Sequence, residues 1–262
     1  MNSFPAEQTV DVSAVPADKE GVRLSAVIPV LNEADNVLPL LDEVLRALES
    51  CRPFEVIFVD DGSTDDTVER LLSRLGDDSG VRLIRHARRS GQSAAVRTGV
   101  KAARGVWVVT LDGDGQNDPA DIPNLLDIAW GKEGAGPALV GGLRIRRNDT
   151  LSKRLASRFA NKVRQSMLQD GCVDSGCGLK LFRRDVFLEL PYFGAMHRFL
   201  PALFKIRGYE VAYRPVNHRS RERGVSKYGN LRRGLIGVVD LLGVYWLKRR
   251  TPPATPASEE RA

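Results

Sequence analysis

The sequence predicts an α/β fold with a doubly wound, mostly parallel β-sheet and helices on both faces. Short apolar runs alternate with segments of helical periodicity, which is the pattern of consecutive βαβ units. Several of the apolar runs end abruptly in Asp, Asn or Glu, as strands do when their carboxyl ends line a crevice. With 262 residues, the chain is long enough to bury the core of one large domain.

The first half of the chain carries the regular part of this pattern. Thr64 is a suitable capping residue for the second helix, and Asp65 and Asp66 would then lie at the positive end of its dipole. The predicted strands cover residues 23–30, 54–59, 81–85, 106–111 and 138–141, and the predicted helices cover 34–48, 65–75 and 93–103.

The second half is less regular. We predict helices over 151–168, 185–190 and 197–206, strands over 179–182 and 209–216, and a C-terminal amphipathic helix over 231–250. Residues 1–21 and 251–262 lack apolar runs and are predicted to be a disordered leader and a disordered tail. The folded domain is therefore expected to span 22–230.

Charge is distributed unevenly along the chain. Residues 1–150 contain 17 Lys and Arg against 24 Asp and Glu, a net charge of −7, whereas residues 151–262 contain 22 against 9, a net charge of +13. The acidic half favours a metal site, and the basic half favours an anionic ligand or an anionic membrane. The chain has no zinc-finger spacing or nucleic-acid motif, so we expect no nucleic-acid partner.

The cysteines and the apolar segments restrict the class of protein further. The three cysteines, Cys51, Cys172 and Cys177, fit a reducing cytosol better than a disulfide framework, and no second Cys or His pair completes a metal site. No stretch of the sequence reaches the roughly 18 apolar residues of a membrane-spanning helix.

The most informative motif is the apolar run 108–111 followed by Asp112-Gly-Asp114-Gly-Gln116. If the run is a buried strand, the motif places two carboxylates at the carboxyl end of the sheet, where open α/β folds bind ligands. Two ionised carboxylates this close repel each other, which favours a cation between them. Their oxygen atoms suit Mg²⁺ or Mn²⁺, and such a cation favours a phosphate-bearing substrate. An acidic surface turn is the alternative interpretation.

Two earlier strands end in polar clusters of the same kind, Asn32-Glu33 and Asp60-Asp61. Side chains at one edge of a parallel sheet converge, so we expect the three clusters to line one crevice. A carboxylate such as that of Asp60 can accept hydrogen bonds from ribose hydroxyls or from the amino group of a base. A turn that caps a helix is the alternative for Asp60-Asp61, but the other two clusters favour nucleotide binding.

Several motifs in order resemble those of family 2 glycosyltransferases with the GT-A fold. They are Val27–Glu33, Val59–Asp65, Arg89–Gln92 and Asp112–Gln116. Segments of the second half are similar to the polyprenyl-phosphate group of this family, which includes dolichol-phosphate mannosyltransferases and bacterial enzymes acting on undecaprenyl phosphate. These segments are Gly141–Arg144, Asp174–Val186 and Gly224–Gly229. Each motif alone is weak, but their joint order over about residues 24–230 is specific and implies that 22–230 is a GT-A glycosyltransferase domain.

The resemblance implies how a nucleotide-sugar donor would be bound. The implied donor contacts are Pro29, Asn32, Glu33, Asp60, Asp61, Gln92 and Asp112. The implied ligands of a divalent cation, Mg²⁺ or Mn²⁺, are Asp112, Asp114 and Gln116. The cation would act as a Lewis acid that neutralises the charge on the departing nucleoside diphosphate.

The resemblance also implies an acceptor site in the basic half. The candidate contacts for the acceptor phosphate are Arg144, Arg154, Ser157, Arg221, Ser226 and Lys227. Arginine binds a phosphate through two hydrogen bonds and lysine supplies a point charge, so both suit this ligand. Arg144 is also a catalytic candidate, together with Asp112 and Asp114.

The implied reaction needs no dedicated general base, because an acceptor phosphate is already anionic at neutral pH. We therefore expect a single inverting displacement at the anomeric carbon, with catalysis by positioning and charge neutralisation. The expected enzyme is a hexosyltransferase that uses GDP-mannose or a UDP-sugar and acts on undecaprenyl or dolichyl phosphate. The sequence leaves the choice of sugar and nucleotide open.

Two other functions are compatible with parts of the sequence. The segment Leu111–Gly115 resembles the nucleophile strand of haloacid-dehalogenase phosphatases, which also bind Mg²⁺. That family expects Thr or Val after the glycine, whereas Gln116 follows here, so a phosphatase is disfavoured. A family 2 transferase with a non-lipid acceptor is the second alternative, which the loop 224–229 and the terminal helix argue against.

The C-terminal helix indicates a membrane surface. Its apolar core Gly234–Leu247 has 14 residues and is interrupted by Asp240. A helix of that length extends roughly 21 Å, less than a hydrocarbon core of about 30 Å. Basic ends and the pair Tyr245-Trp246 are typical of a helix at an anionic interface, with a core helix or a dimer contact as alternatives. We expect a cytoplasmic protein at the inner face of the cell membrane, with a membrane-spanning partner or a second copy as further options.

Overall fold

The computed structural model describes residues 21–75, 80–131, 136–145, 161–220 and 230–251. All of the predicted leader and tail except Gly21 and Thr251 lies outside these ranges. The described strands are β1 (Leu24–Val30), β2 (Phe54–Asp60), β3 (Val81–Arg85), β4 (Trp107–Thr110), β5 (Leu139–Arg144), β6 (Lys180–Arg183) and β7 (Val211–Val216).

Helices connect and cover these strands. They are α1 (Ala34–Leu48), α2 (Thr67–Leu75), α3 (Gln92–Ala102), α4 (Ile122–Ala129), α5 (described over 161–168), α6 (Arg184–Leu188), α7 (Leu200–Ile206) and α8 (Asn230–Arg250). The predicted strands and helices agree with the described ones to within about three residues at each described end, and the start of the helix predicted over 151–168 lies outside the described residues. No described helix combines the length and the apolar content needed to cross a bilayer.

The described strands form one sheet in the order β3-β2-β1-β4-β6-β5-β7. Neighbours β3, β2, β1 and β4 are parallel, as are β5 and β7, whereas β6 runs antiparallel to both β4 and β5. The chain enters β6 at the carboxyl edge of β4, since Lys180 pairs with Thr110 there, and it must therefore run back along β4. The predicted doubly wound, mostly parallel sheet is confirmed.

The core lies on both faces of the sheet because strand side chains alternate between them. Along β1, Ala26 and Ile28 pack into a cluster with α1 and α4. Val27, between them, packs into the opposite cluster with α3 and α7. A strand buried on both sides reads as a continuous apolar run, which is why these strands were recognisable in the sequence.

Two details of the helices differ from the sequence-based expectation. Helix α4 was not predicted, because Pro119 and Pro123 interrupt its pattern; Pro123 lies in the first turn, where no intrahelical N–H bond is lost. Helix α2 begins at Thr67 rather than at residue 65. The side chain of Asp65 accepts the Thr67 N–H (3.1 Å), while the N–H of Thr64 donates to Asn32 Oδ1 (2.7 Å).

Strand β6 joins the parallel part of the sheet to its far edge, and Leu181 is buried at its centre against Val109 and Val140. We predict that Leu181→Ala lowers the free energy of unfolding by about 2–5 kcal/mol, because it leaves a cavity in the core. Urea denaturation measures this value. The matched control is Leu72→Ala, since the Leu72 side chain is 53% exposed and its truncation should change stability by no more than about 0.5 kcal/mol. Equal losses in the two variants would contradict the prediction.

Candidate active site

The strand order places a switch point between β1 and β4. From β1 the chain winds outward through β2 and β3, and it then returns to the other side of β1 to form β4. The loops that follow β1 and β4 therefore diverge and leave a crevice at their carboxyl ends, where open α/β sheets bind ligands. The predicted convergence of the strand ends thus has a structural basis in this topology.

The acidic turn 112–116 lies at this crevice and is held by local hydrogen bonds. The N–H of Asp112 donates to Asn117 Oδ1 (2.9 Å), and the N–H of Gln116 donates to Asp114 Oδ1 (3.2 Å). The N–H of Arg219, just after β7, donates to the carbonyl of Gln116 (3.0 Å). The three predicted cation ligands are therefore brought together on one short turn.

The carboxylate of Asp112 lies in crowded surroundings. Gln92 Nε2, at the start of α3, donates to Asp112 Oδ1 (2.7 Å). On the other side is the backbone of Gly178, where an added Cβ would lie 2.3 Å from Asp112 Oδ2. A glycine is therefore required at 178 for this close approach.

Electrostatics make the charged form of Asp112 costly. Burial raises the pKa of Asp112 to about 6, and the neighbouring charge of Asp114 contributes in the same direction. The charges of Lys180 and Arg144 and the hydrogen bond from Gln92 oppose this shift. An added cation would stabilise both carboxylates, so the donor set fits the predicted divalent ion.

The composition of the donor set matches that ion. Two carboxylates and one amide supply the hard oxygen atoms that Mg²⁺ and Mn²⁺ prefer. Among the described residues, no group of three or more His, Cys, Asp and Glu side chains is placed to hold a metal ion. The candidate cation site has only two carboxylates, Asp112 and Asp114, beside the amide of Gln116.

A cavity of about 160 Å³ extends from Asp112 toward the start of α7. Its wall includes Pro29 from β1, Lys180 from β6, and His197 and Arg198 from the turn before α7. His197 is held by Ser93 of α3, with 2.6 Å between His197 Nδ1 and Ser93 Oγ. The cavity wall thus combines the carboxylate of Asp112 with the basic side chains of Lys180, His197 and Arg198.

The aspartates at the end of β2 are both buried and both hydrogen-bonded to the protein. Asp60 accepts the N–H of Ser63 (3.1 Å). Asp61 accepts the N–H groups of Ser90 and Gly91 (2.8 Å each) and lies 2.8 Å from His86 Nδ1. These bonds fold the loop before α3 against the end of β2, so the predicted donor residues also shape the crevice.

The side chains of Asn32 and Glu33, directly after β1, are likewise hydrogen-bonded to the protein at the crevice. Asn32 adopts a left-handed backbone conformation (φ 51°) and its Oδ1 accepts the N–H of Thr64. Glu33 Oε2 accepts a hydrogen bond from Asn36 Nδ2 (2.7 Å). Both side chains remain partly exposed at the crevice beside Pro29.

The predicted acceptor residue Arg144, at the end of β5, is held by Asp174. Its Nε donates to Asp174 Oδ2 (2.7 Å) and its Nη2 to Asp174 Oδ1 (2.6 Å). The hydrogen bond to Asp174 raises the pKa of Arg144 against the opposing effect of burial. The guanidinium is therefore fixed in a permanently charged state near the Asp112 carboxylate.

The loop that carries Asp174 and Gly178 is anchored by a buried ion pair. Arg164 of α5 contacts the Asp170 carboxylate (2.5 Å) and donates to the carbonyl of Cys172 (3.0 Å). Tyr213 of β7 donates to the carbonyl of Asp170 (2.9 Å). These contacts position the loop whose residues 175–178 line the cavity.

Sequence reasoning missed several residues of the site. Their partners are distant along the chain, and only Asp174 and Lys180 lay inside a quoted motif. The missed residues are His86, Ser93, Asp174, Lys180, His197 and Arg198. The predicted acceptor contacts Arg154, Ser157, Arg221, Ser226 and Lys227 lie outside the described residues.

A switch-point crevice with an acidic turn and nearby basic side chains is typical of enzymes that bind phosphate-bearing nucleotides through a cation. The chain belongs to glycosyl transferase family 2, whose sequence profile matches residues 25–190. The predicted resemblance to family 2 glycosyltransferases is confirmed.

Two relatives show which members of this family the chain is similar to. The chain is 35% identical over 234 residues to a dodecaprenyl-phosphate galacturonate synthase of Rhizobium johnstonii, covering 88% of this chain and 68% of that protein. It is 34% identical over 212 residues to an undecaprenyl-phosphate 4-deoxy-4-formamido-L-arabinose transferase of Yersinia pestis, covering 80% and 64%. The chain therefore spans about two thirds of the length of these relatives.

Solved structures share the fold. Glucosyl-3-phosphoglycerate synthase of Mycobacterium tuberculosis in complex with UDP matches with a TM-score of 0.69 at 22% identity, covering 96% of this chain and 88% of that one. The same enzyme with Mn²⁺, UDP-glucose and phosphoglyceric acid matches with a TM-score of 0.69 at 21% identity, covering 93% and 86%. The predicted GT-A fold is confirmed by this likeness.

The contact between Gly178 and Asp112 yields a prediction. Gly178→Ala should displace the Asp112 carboxylate, because its new Cβ would lie 2.3 Å from Oδ2, and should weaken Mn²⁺ binding by about tenfold or more. Titration calorimetry with Mn²⁺ in the presence of a nucleoside diphosphate measures the affinity. Gly194→Ala is the matched control, since a Cβ there meets nothing within 4 Å. Unchanged Mn²⁺ affinity in a folded Gly178→Ala protein would refute the role of this contact.

Proposed function

We propose that this chain transfers a sugar from a nucleotide-sugar donor to the phosphate of a polyprenyl phosphate. The observation that carries the proposal is the cavity beside Asp112, because it joins an acidic turn for a donor diphosphate to basic residues for a second phosphate. The names of the relatives support the same acceptor class.

The acidic turn after β4 serves the donor. Asp112, Asp114 and Gln116 would hold Mg²⁺ or Mn²⁺, and the ion supplies Lewis-acid stabilisation of the departing nucleoside diphosphate. The likeness to a synthase with bound Mn²⁺ or Mg²⁺ supports a divalent ion. Gln92 keeps the Asp112 carboxylate oriented through its 2.7 Å hydrogen bond.

The part of the crevice next to the carboxyl ends of β1 and β2 serves the nucleotide. Asn32 and Glu33 are partly exposed there, and Pro29 lines the adjoining cavity. Asp60 and Asp61 hold the surrounding loops, so their contribution to the base or ribose combines contact with positioning.

The basic side chains near Asp112 serve the acceptor. Asp174 fixes the guanidinium of Arg144. The positive charges of Arg144 and Lys180 both interact with the carboxylate of Asp112. Such cations lower the repulsion between an anionic acceptor and an anionic donor, so the two can approach for an in-line displacement. The acceptor phosphate is its own nucleophile, and inversion at the anomeric carbon follows from a single displacement.

The range of sugars that we propose is broader than the hexoses expected from the sequence. One relative is named for galacturonate and the other for a formamido derivative of arabinose, so a hexosyl or mannosyl specificity does not carry over. We therefore propose a glycosyl group in general and include uronic acids and amino sugars among the donors to test.

The proposal is tested by incubating the full chain with radiolabelled nucleotide sugars, Mn²⁺ and undecaprenyl phosphate. We expect a lipid-extractable glycosyl phosphate whose anomeric configuration, read by NMR, is opposite to that of the donor. Asp114→Asn should lower the rate at least a hundredfold, an order of magnitude typical for the loss of transition-state charge stabilisation. Asp127→Asn, at an exposed aspartate of α4, is the matched control and should retain the parent rate.

Other outcomes of this assay would favour other functions. Label on a soluble phosphorylated acceptor, with none in the lipid phase, would contradict the lipid acceptor. Release of inorganic phosphate without any glycoside would contradict glycosyl transfer. A full rate in an Asp112, Asp114 double variant at saturating Mn²⁺ would contradict the role of the acidic turn.

The ion pair between Arg144 and Asp174 leads to a second prediction about activity. Asp174→Asn should raise the KM for polyprenyl phosphate by about tenfold or more, because two charge-assisted hydrogen bonds that orient Arg144 are weakened. The KM for the donor should change less, and Asp174→Glu should restore part of the affinity. Steady-state kinetics in both substrates separate these effects. Equal changes in both KM values, with no rescue by Glu, would refute the positioning role.

A further inference from the structure

Residues 217–219, which directly follow β7, lie against the acidic turn. Asn117 and His218 form an isolated antiparallel bridge. The N–H of Arg219 donates to the carbonyl of Gln116 (3.0 Å). The main chain beside the candidate cation site is therefore hydrogen-bonded to a segment that lies 103 positions further along the chain.

The side chain of Gln116 is held by the same residue. Its Nε2 donates to the carbonyl of Arg219 (3.4 Å). A backbone carbonyl only accepts hydrogen bonds, so the nitrogen of the amide has to face it, and Oε1 is left on the other side of the amide group. Oε1 is the atom of Gln116 that suits Mg²⁺ or Mn²⁺. The backbone of Arg219 thus selects which end of this amide is offered to a cation.

The guanidinium of Arg219 anchors the segment to two carboxylates. Its Nη1 donates to Glu43 Oε2 of α1 (2.7 Å), and its Nη2 donates to Asp118 Oδ1 (2.8 Å), two residues after Gln116. Asp118 Oδ1 also accepts the N–H of Ala120 (3.1 Å). One arginine between two carboxylates is held more firmly than a single exposed ion pair, because its planar guanidinium has to meet both partners at once.

The start of the segment is anchored as well. The N–H of Asn217 donates to Asp121 Oδ2 (2.7 Å), and Asp121 is buried just before α4. Val216, the last residue of β7, is buried in the core. The position of the Arg219 backbone is therefore set by the sheet on one side and by the ion pairs of its own side chain on the other.

We propose that Arg219 is a positioning residue for the cation site. It orients the amide of Gln116 so that Oε1 is offered to the same cation as Asp112 and Asp114. Arg219 is not itself a ligand, because a positively charged side chain does not bind a cation. The inference rests on the cation site proposed above, and the experiments below let the two fail separately.

The first test is the affinity of the full chain for Mn²⁺, measured by titration calorimetry with UDP present. Arg219→Ala should weaken Mn²⁺ binding by about tenfold, a size typical for the loss of a group that orients a metal ligand. Arg219→Lys should restore only part of the affinity, because lysine cannot hold two carboxylates in a planar fork.

The matched control is Arg74→Ala. The Arg74 side chain is 38% exposed and pairs with Asp42 of α1 (2.9 Å), whereas the Arg219 side chain is 41% exposed and pairs with Glu43 of the same helix. The control therefore removes a comparable ion pair to α1 without a change at the acidic turn, and it should bind Mn²⁺ as the parent chain does. Thermal unfolding without Mn²⁺ checks that each variant is folded.

The second test is a double-mutant cycle. Gln116→Ala should weaken Mn²⁺ binding by itself. Adding Arg219→Ala to it should cause a further loss of no more than about twofold, because Arg219 acts through Gln116. A purely structural role of Arg219 would instead cost the same affinity in both backgrounds. Asp114→Asn, measured in parallel, tests the cation site itself.

Two results would overturn the inference and leave the cation site standing. One is a folded Arg219→Ala protein that binds Mn²⁺ as tightly as Arg74→Ala does. The other is an equal loss from Arg219→Ala in the parent chain and in the Gln116→Ala background. If Asp114→Asn leaves the Mn²⁺ affinity unchanged, the cation lies elsewhere, and both the proposed cation site and the role of Arg219 are wrong.

Discussion

The negative charge of Asp112 at the end of β4 is the constraint on which the site depends. A partly buried carboxylate beside a second carboxylate is unstable unless positive charge or hydrogen-bond donors compensate it. Gln92 donates to it, Lys180 and Arg144 supply positive charge, and Gly178 leaves it room. These groups come from three segments, the start of α3, the end of β5 and the start of β6 with the loop before it, so the position of one carboxylate depends on how these segments pack together.

The two halves of the chain, which differ in net charge, both contribute to the site. The acidic half, with net charge −7, contributes the turn after β4, and the basic half, with net charge +13, contributes β6 and the loop before it. Antiparallel pairing of β6 with β4 sets Lys180 beside Thr110, so the two halves meet at the cavity. A transferase that joins an anionic donor to an anionic acceptor needs both kinds of charge within one crevice.

Positioning and binding are combined in several residues of this crevice. Asp61 folds the loop before α3 through Ser90 and Gly91, and Asp174 fixes the guanidinium of Arg144. Hydrogen bonds of this kind hold charged groups in place before any substrate arrives, which lowers the reorganisation needed during reaction. Substitution of such a residue therefore affects geometry as well as charge.

The sequence by itself determined the strands, most of the helices, the three polar strand ends and the family. These features are local: strands buried on both faces read as apolar runs, and the ligands of the acidic turn are adjacent in the chain. Helix α4 was not predicted because two prolines interrupt its apolar pattern, although the first turn of a helix tolerates proline.

Only the tertiary structure decided the direction of β6, the contact of Gly178 with Asp112 and the pairing of Ser93 with His197 across 104 positions. It also decided which face of α8 is covered, the one that carries Val244. Contacts between residues far apart in the chain leave no periodicity or spacing in the sequence, because they arise from the order in which the strands are placed in the sheet.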